Sequence, residues 1–127
     1  MPYVDGFIAA VPTANRDAYR AHAEAAWPLF RDLGATAMWE CWGDDVPEGE
    51  VKSFRMAVKA AEDETVVFSW TLWPDKATRD AGWTRMMSDP AFAEAMGEMP
   101  FDGKRMVYGG FAPLVMAGEM SGEASPA

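Results

Sequence analysis

The sequence predicts an α+β protein built around one antiparallel sheet, and three observations lead to this class. Short segments rich in aromatic and β-branched residues alternate with segments whose apolar residues recur at helical spacing. These segments follow the order strand, helix, strand, strand, helix, strand. The chain has 127 residues, about one domain, and 50% of them are hydrophobic, which is enough to build a core.

The first half of the chain predicts a strand, a helix and a second strand. Tyr3–Val11 alternates between two faces as a strand does, and Pro12 ends it. The helix covers residues 15–34 with Pro28 inside it, where the proline ring removes a backbone donor. The second strand is Ala35–Gly43. The apolar stripe of the helix consists of Tyr19, Ala23, Ala26, Trp27, Phe30 and Leu33.

The second half predicts a loop, a strand, two helices and a last strand. The Asp, Pro and Gly residues of 44–53 are typical of turns, and residues 54–60 are either a helical turn or an irregular edge. Thr65–Trp73 is β-branched and aromatic, as strands are. A helix covers residues 74–89, and a second, short helix begins at Pro90. Lys104–Met116 is predicted as the last strand.

This β-α-β-β-α-β order is typical of a ferredoxin-like protomer, a single domain over residues 1–117 with a flexible tail over 118–127. Two helices can cover only one face of a four-stranded sheet. Phe7 against Ile8 and Met38 against Trp39 indicate bulky apolar residues on both faces. Because a bare apolar face of that size is unusual on a monomer, we predict a homodimer in which sheet faces sheet.

Composition excludes several classes of partner. The net charge is −9 and the basic residues are scattered, so neither nucleic acid nor an anionic membrane is expected as a partner. We expect a cytoplasmic protein, because the N-terminus has no basic segment before its apolar stretch and no apolar run is long enough to span a membrane. The single cysteine, Cys41, fits a reducing compartment.

Several motifs resemble the YbaA-like family of small bacterial proteins. They are "YVDGF" at residues 3–7, "ECWGDDVP" at 40–47, "ETVVFSWTLWP" at 64–74, "RDAG" at 79–82 and "MPFDGKRMVYGGF" at 99–111. The resemblance runs from about Tyr3 to Val115. It implies a ferredoxin-like protomer that pairs into a dimeric α/β barrel, and it implies no established activity. Relatives on that fold include cofactor-independent monooxygenases, haem-degrading enzymes and binding modules. The haem-binding relatives use a histidine of the second helix, which this chain lacks, so haem is not expected.

Asp5 and Glu40 are the candidate general bases. Each lies inside a predicted strand between large apolar residues of its own face. A carboxylate in such surroundings must find partners or shift its pKa upward. The sequence leaves two interpretations open: a base in an apolar pocket, or a structural role. The structural role would be an ion pair with Arg79, Lys104 or Arg105, or a hydrogen bond at the dimer interface.

Four further residues are candidate ligand contacts. Arg105 and Tyr108 follow a turn and could present a cation and a phenol to an anionic or phenolic ligand. Trp42 and Trp70 could form the walls of a pocket. The alternatives are an ordinary turn with a paired arginine, and tryptophans that only fill a core or interface.

Metal binding and cysteine chemistry are not predicted. A zinc site needs about four ligands, usually Cys and His, and the chain has one Cys and one His. The acidic run from Asp44 to Glu50 lacks the spacing of a calcium loop. Cys41 has only His22 as a possible base, so a small thiol in the core is the simpler interpretation.

The sequence therefore leaves two functions open, and whether the protein is an enzyme stays undecided. One is a cofactor-free oxygenase or isomerase acting on an aromatic or carbonyl substrate. The other is a non-enzymatic dimer that binds a ligand or serves a structural role. A cavity of about 300 Å³ or more beside Asp5 or Glu40 would favour the first.

Overall fold

The computed structural model describes residues 1–118 and shows an α+β protein with a four-stranded antiparallel sheet. The strands are β1 (Tyr3–Pro12), β2 (Ala37–Trp42), β3 (Glu64–Trp73) and β4 (Val107–Phe111). The helices are α1 (Arg16–Asp32), α2 (Phe54–Ala57), α3 (Lys76–Ser88) and α4 (Pro90–Met96). The predicted tail over 118–127 lies outside the described residues except for Gly118.

The sheet has the order β2-β3-β1-β4, and every neighbouring pair is antiparallel. The two long strands, β1 and β3, pair over ten residues in the centre, from Tyr3 opposite Trp73 to Pro12 opposite Glu64. The shorter strands β2 and β4 therefore form the two edges. Both edges leave backbone groups of the outer strand free of sheet partners.

One face of the sheet carries α1 and α3, and we call it the helix face. Alternating residues of β1 and β3 point into it, and Val11, Val67 and Trp73 are almost completely buried there. The aromatic ring of Phe30 on α1 meets that of Trp73 edge to face, at 6.5 Å between ring centroids. Aromatic contacts between α1 and the central strand thus anchor the helix on the sheet.

The opposite face is only partly covered, and we call it the open face. A small cluster of Ala10, Val66 and Val58 is buried where the segment around α2 crosses one end of it. Beyond that end, Trp39 stacks on Trp70 at 5.4 Å between ring centroids. The large apolar side chains exposed on and beside this face are Trp39, Phe54, Phe68, Val107 and Phe111.

The last strand is shorter than the predicted Lys104–Met116. Residues Gly103–Arg105 form a 3₁₀ turn, because the Asp102 side chain accepts a hydrogen bond from the backbone N–H of Lys104 and caps that turn. At the other end, pairing stops where Phe111 lies opposite Val4, close to the start of β1. The prediction was wrong at both ends of this strand.

The segment between β2 and β3 contains one regular element. Of the two possibilities that the sequence left open for residues 54–60, the helical turn is found, as α2 over Phe54–Ala57. Ser53 caps it by accepting a hydrogen bond from the N–H of Met56. Within residues 1–118, no helix has the length and hydrophobicity that crossing a bilayer requires.

Candidate functional site

Asp5 is the centre of a buried hydrogen-bond cluster. It is 2% exposed, in the middle of β1 on the helix face. The Arg79 guanidinium donates to it from Nη2 at 2.8 Å and from Nε at 3.1 and 3.2 Å. The indole N–H groups of Trp73 and Trp83 each donate to its Oδ2 at 2.9 Å. The hydrogen bonds to Asp5 raise the pKa of Arg79 above its ordinary value.

The surroundings of Asp5 explain why Arg79 can reach it. The guanidinium lies over the ring of Tyr3 at 5.2 Å and that of Trp83 at 5.7 Å, as cations do on aromatic faces. Gly110 of β4 lies opposite Asp5, and a Cβ there would come within 2.5 Å of the Tyr3 hydroxyl. Because Arg79, Trp73 and Trp83 all donate to it, Asp5 has the geometry of the structural alternative, an ion pair with Arg79.

Glu40 is placed differently, in a cavity of about 590 Å³ between α1 and the edge strand β2. The helix contributes residues that recur every three or four positions along one side, which is the stripe facing the strand. The strand contributes residues of β2 and the position before it. The lining residues are Arg16, Tyr19, Arg20, Ala23, Glu24, Trp27, Thr36, Ala37, Met38, Glu40, Cys41 and Trp42.

The Glu40 carboxylate accepts a hydrogen bond from the Tyr19 hydroxyl through a short contact between β2 and α1. Ser69 of β3 lies directly opposite Glu40 in the sheet. Glu40 is exposed as a whole residue, but the protein atoms around its carboxyl group partly desolvate it and raise its pKa, and the hydrogen bond from Tyr19 only partly offsets this effect. Burial and the nearby Glu40 charge raise the pKa of Tyr19. Glu40 is therefore a carboxylate with increased basicity, bonded to a phenol that stays protonated.

The walls of this cavity combine aromatic surface with small residues. The ring of Trp42 lies 6.3 Å from that of Tyr19, and Tyr19 in turn lies 5.7 Å from Phe101. Ala23 on the helix lines the space. Because its methyl side chain fills little of the gap between α1 and β2, a cavity remains where a larger residue would close it.

The six residues predicted for a site do not come together. Glu40 and Trp42 share the cavity between α1 and β2. Trp70 and Tyr108 line a groove of about 1120 Å³ on the open face. Arg105 lines a third, shallow depression, and Asp5 lines none of the three.

Arg105 is engaged in a bidentate ion pair. Its Nη1 and Nη2 donate to the two carboxylate oxygens of Glu64, each at 2.7 Å, and its Nε donates to Asp102 at 3.1 Å. The hydrogen bonds from Arg105 lower the pKa of Glu64 to about 2. Arg105 thus has the geometry of the paired arginine that the sequence left open as an alternative.

The site residues that sequence reasoning missed are Tyr19, Arg16 and Arg20. Tyr19 was assigned only to the apolar stripe of α1, and neither arginine was considered. Their spacing, one helical turn apart along the same side, is visible in the sequence. That this side faces β2 follows only from the position of β2 at the sheet edge.

The cysteine and histidine have ordinary surroundings. Cys41 is a half-buried free thiol on β2. The Nε2 atom of His22 lies 3.0 Å from the backbone oxygen of Met96 and links α1 to α4. In the part of the chain that the structure describes, no three His, Cys, Asp or Glu side chains are grouped as a metal site would need.

Fold and site together define a class: a small α+β protein with an antiparallel sheet, an apolar open face and a cavity that contains the hydrogen-bonded side chains of Glu40 and Tyr19. The chain belongs to the family described as "Protein of unknown function (DUF1428)", whose model matches residues 2–103. It is 56% identical over 115 residues to "Uncharacterized protein YbaA" of Escherichia coli (strain K12). The aligned region covers 91% of this chain and 98% of that protein. The relative of the same description from Shigella flexneri matches to the same extent. The resemblance to the YbaA-like family is thereby confirmed.

Proposed function

We propose that the cavity between α1 and β2 binds a small carbonyl compound and that Glu40 moves a proton on it. The observation that carries this proposal is the carboxylate of raised pKa, hydrogen-bonded to a phenol, in a cavity of about 590 Å³. This volume lies within the range of about 300–1,000 Å³ that ligand pockets occupy. A base of raised pKa is suited to proton transfer near neutral pH.

The chemistry follows from the positions of the two groups. Glu40 accepts the proton from the carbon next to a carbonyl, and the electron pair of that C–H bond moves onto the carbonyl oxygen as an enolate. The Tyr19 hydroxyl has one proton, which it donates to Glu40 in the resting site. Once Glu40 carries the proton of the substrate, this hydroxyl can turn to the enolate oxygen, donate to it and stabilise its charge. Glu40 then returns the proton to the same or another carbon, which makes the net reaction exchange or isomerisation. No co-reactant is needed.

The proposal is tested by hydrogen–deuterium exchange on a probe ketone. α-Tetralone is incubated in D₂O with the protein, and loss of its α-proton signal is followed by NMR. We expect the wild-type protein to accelerate exchange and Glu40→Gln to lower that acceleration by roughly 10²–10⁴-fold. Tyr19→Phe should lower it by a smaller factor, because the base is retained.

The matched control is Glu94→Gln, the same change at an exposed carboxylate on α4, outside the three cavities. It should leave the exchange rate unchanged. If Glu40→Gln exchanges α-tetralone as fast as the wild type, or if the wild type does not accelerate exchange, Glu40 is not the base. A non-enzymatic binding protein, the alternative from the sequence, would bind α-tetralone and leave its protons in place.

For the assembly, we propose a homodimer whose two open faces meet, with each protomer in the ferredoxin-like arrangement of a dimeric α/β barrel. Supporting this are the exposed fractions of Trp39 (45%), Phe68 (46%) and Phe111 (61%). Phe68 and Phe111 also line an apolar groove of about 1120 Å³, together with residues of the C-terminal segment up to Gly118. A soluble chain gains by burying such a surface, and an identical neighbour offers a self-complementary cover.

Sedimentation equilibrium tests the dimer. The wild-type protein should behave as a particle of twice the 13.9 kDa mass of the chain. Trp39→Glu should shift it toward the single-chain mass, because a charge would be buried against the partner's apolar face. Met87→Glu, the same type of change at a residue 84% exposed on α3, should leave the mass unchanged. A wild-type protein of single-chain mass at high concentration would refute the dimer.

We also propose a cytoplasmic location, which the single cysteine supports.

A further inference from the structure

We propose that the ligand of the cavity between α1 and β2 is an aromatic carboxylate, held by Arg16 at one end and by tryptophan rings along its length. This inference rests on the proposed function for the place of the ligand, and it adds the ligand's charge and shape. The residue that binds the carboxylate of the ligand is then Arg16, whereas the sequence had suggested Arg105.

The arginines at the rim of the cavity are unexpected in so acidic a chain. The protein has 11 lysines and arginines against 20 acidic residues, yet Arg16 and Arg20 both line this cavity. The Nε atom of Arg20 is paired with Glu24 at 2.9 Å. Arg16 has no ion-pair partner within residues 1–118 and is exposed at the first position of α1. A guanidinium in this state can bind a carboxylate through two parallel hydrogen bonds.

The walls of the cavity indicate the shape of the ligand. Trp27 and Trp42 line it from the helix and from the strand, and Met38 adds adaptable apolar surface. Flat indole rings bind planar molecules by offset or edge-to-face packing. An aromatic ring system therefore fits this space better than a branched aliphatic chain.

The position of Glu40 determines how such a ligand would lie. Two carboxylates close together repel each other, so the carboxylate of the ligand must point away from Glu40. Arg16 lies one helical turn before Tyr19, about 4.5 Å along the axis of α1. A ligand with its carboxylate at Arg16 thus places its ring, and any carbonyl on that ring, beside Tyr19 and Glu40.

The test compares two probes of the same shape and different charge, 2-naphthoate and the neutral 2-naphthamide, by isothermal titration calorimetry. We expect the wild-type protein to bind 2-naphthoate at least about tenfold more tightly than 2-naphthamide, which corresponds to one charge-assisted contact. Arg16→Gln should remove this preference and leave the affinity for 2-naphthamide unchanged. Raising the salt concentration should weaken only the binding of 2-naphthoate.

The matched control is Arg31→Gln, the same change at an exposed arginine of α1 outside the cavity. It should retain the preference for 2-naphthoate. Equal affinities of the wild type for the two probes, or an unchanged preference in Arg16→Gln, would overturn the inference.

Glu40→Gln separates this inference from the proposed function. It should bind 2-naphthoate at least as tightly as the wild type, because a negative charge is lost from the cavity. If Glu40→Gln and the wild type exchange α-tetralone equally while the probe preference holds, the ligand class stands and the catalytic role of Glu40 fails. If Glu40→Gln exchanges more slowly and the probe preference is absent, the catalytic role stands and the ligand class fails.

Discussion

Replacement of Asp5 by asparagine tests whether the cluster around this residue holds the sheet to α3. The change keeps the size of the side chain and removes its charge. The half-buried guanidinium of Arg79 then loses its ionic partner. An amide NH₂ also replaces one carboxylate oxygen, either Oδ1, which accepts from Arg79, or Oδ2, which accepts from both Trp73 and Trp83. Because asparagine still offers one acceptor, the variant isolates the cost of the lost charge and of one lost acceptor.

The expected magnitude follows from burial. Removing one partner of a buried ion pair costs about 3–5 kcal/mol. Arg79 is 21% exposed and also donates to Asp80, so the cost should lie near the lower limit. We expect Asp5→Asn to lower the free energy of unfolding by about 3–4 kcal/mol. For a chain of 127 residues, this corresponds to a fall in Tm of about 11–15 °C.

The assay is urea unfolding followed by tryptophan fluorescence, with wild type and variant at one protein concentration because assembly would contribute to stability. Trp83→Phe, which removes a single donor to Asp5, should cost about 1–2 kcal/mol. Glu24→Gln, which breaks the exposed pair with Arg20, should cost less than about 0.5 kcal/mol. A loss below about 1 kcal/mol for Asp5→Asn would show that the cluster does not stabilise the fold as described.

Two further predictions concern other parts of the sheet. The ion pair with Arg105 lowers the pKa of Glu64 from 4.5 to about 2, so the ionised carboxylate stabilises the fold above pH 4.5. This stabilisation, roughly 1–3 kcal/mol, should disappear as the pH falls from 4.5 to about 2, and Glu64→Gln should lack this part of the pH dependence of urea unfolding. Gly43→Ala should cost roughly 1–3 kcal/mol by thermal unfolding, because the added Cβ would lie 2.7 Å from the backbone oxygen of Val66. Gly103→Ala, whose Cβ would meet no atom within 4 Å, is the control, and equal stabilities of the two variants would contradict the steric argument.

The central strands show what the sequence by itself determined. Tyr3–Val11 and Thr65–Trp73 were predicted to within one residue of β1 and β3 at either end. Alternation along a strand and the β-branched and aromatic composition are local properties, so they can be read without knowing the partner strand. For the same reason, the first helix was predicted over residues 15–34, close to the observed bounds of α1, Arg16–Asp32.

The candidate site depended on information that local patterns do not contain. Asp5 and Glu40 looked alike in the sequence, each a carboxylate inside an apolar strand. Asp5 forms an ion pair because Arg79, which lies 74 residues away in the sequence, contacts it in the fold. Glu40 faces a cavity because β2 is an edge strand.

The sequence alone thus determined which segments are strands and helices and that their apolar residues exceed what two helices cover. The tertiary structure decided the order of the strands, the end of β4 and the different surroundings of two similar carboxylates. The physical reason is that the pairing of distant strands decides which side chains share one face and which lie at an edge, and the burial and partners of a charge follow from that arrangement.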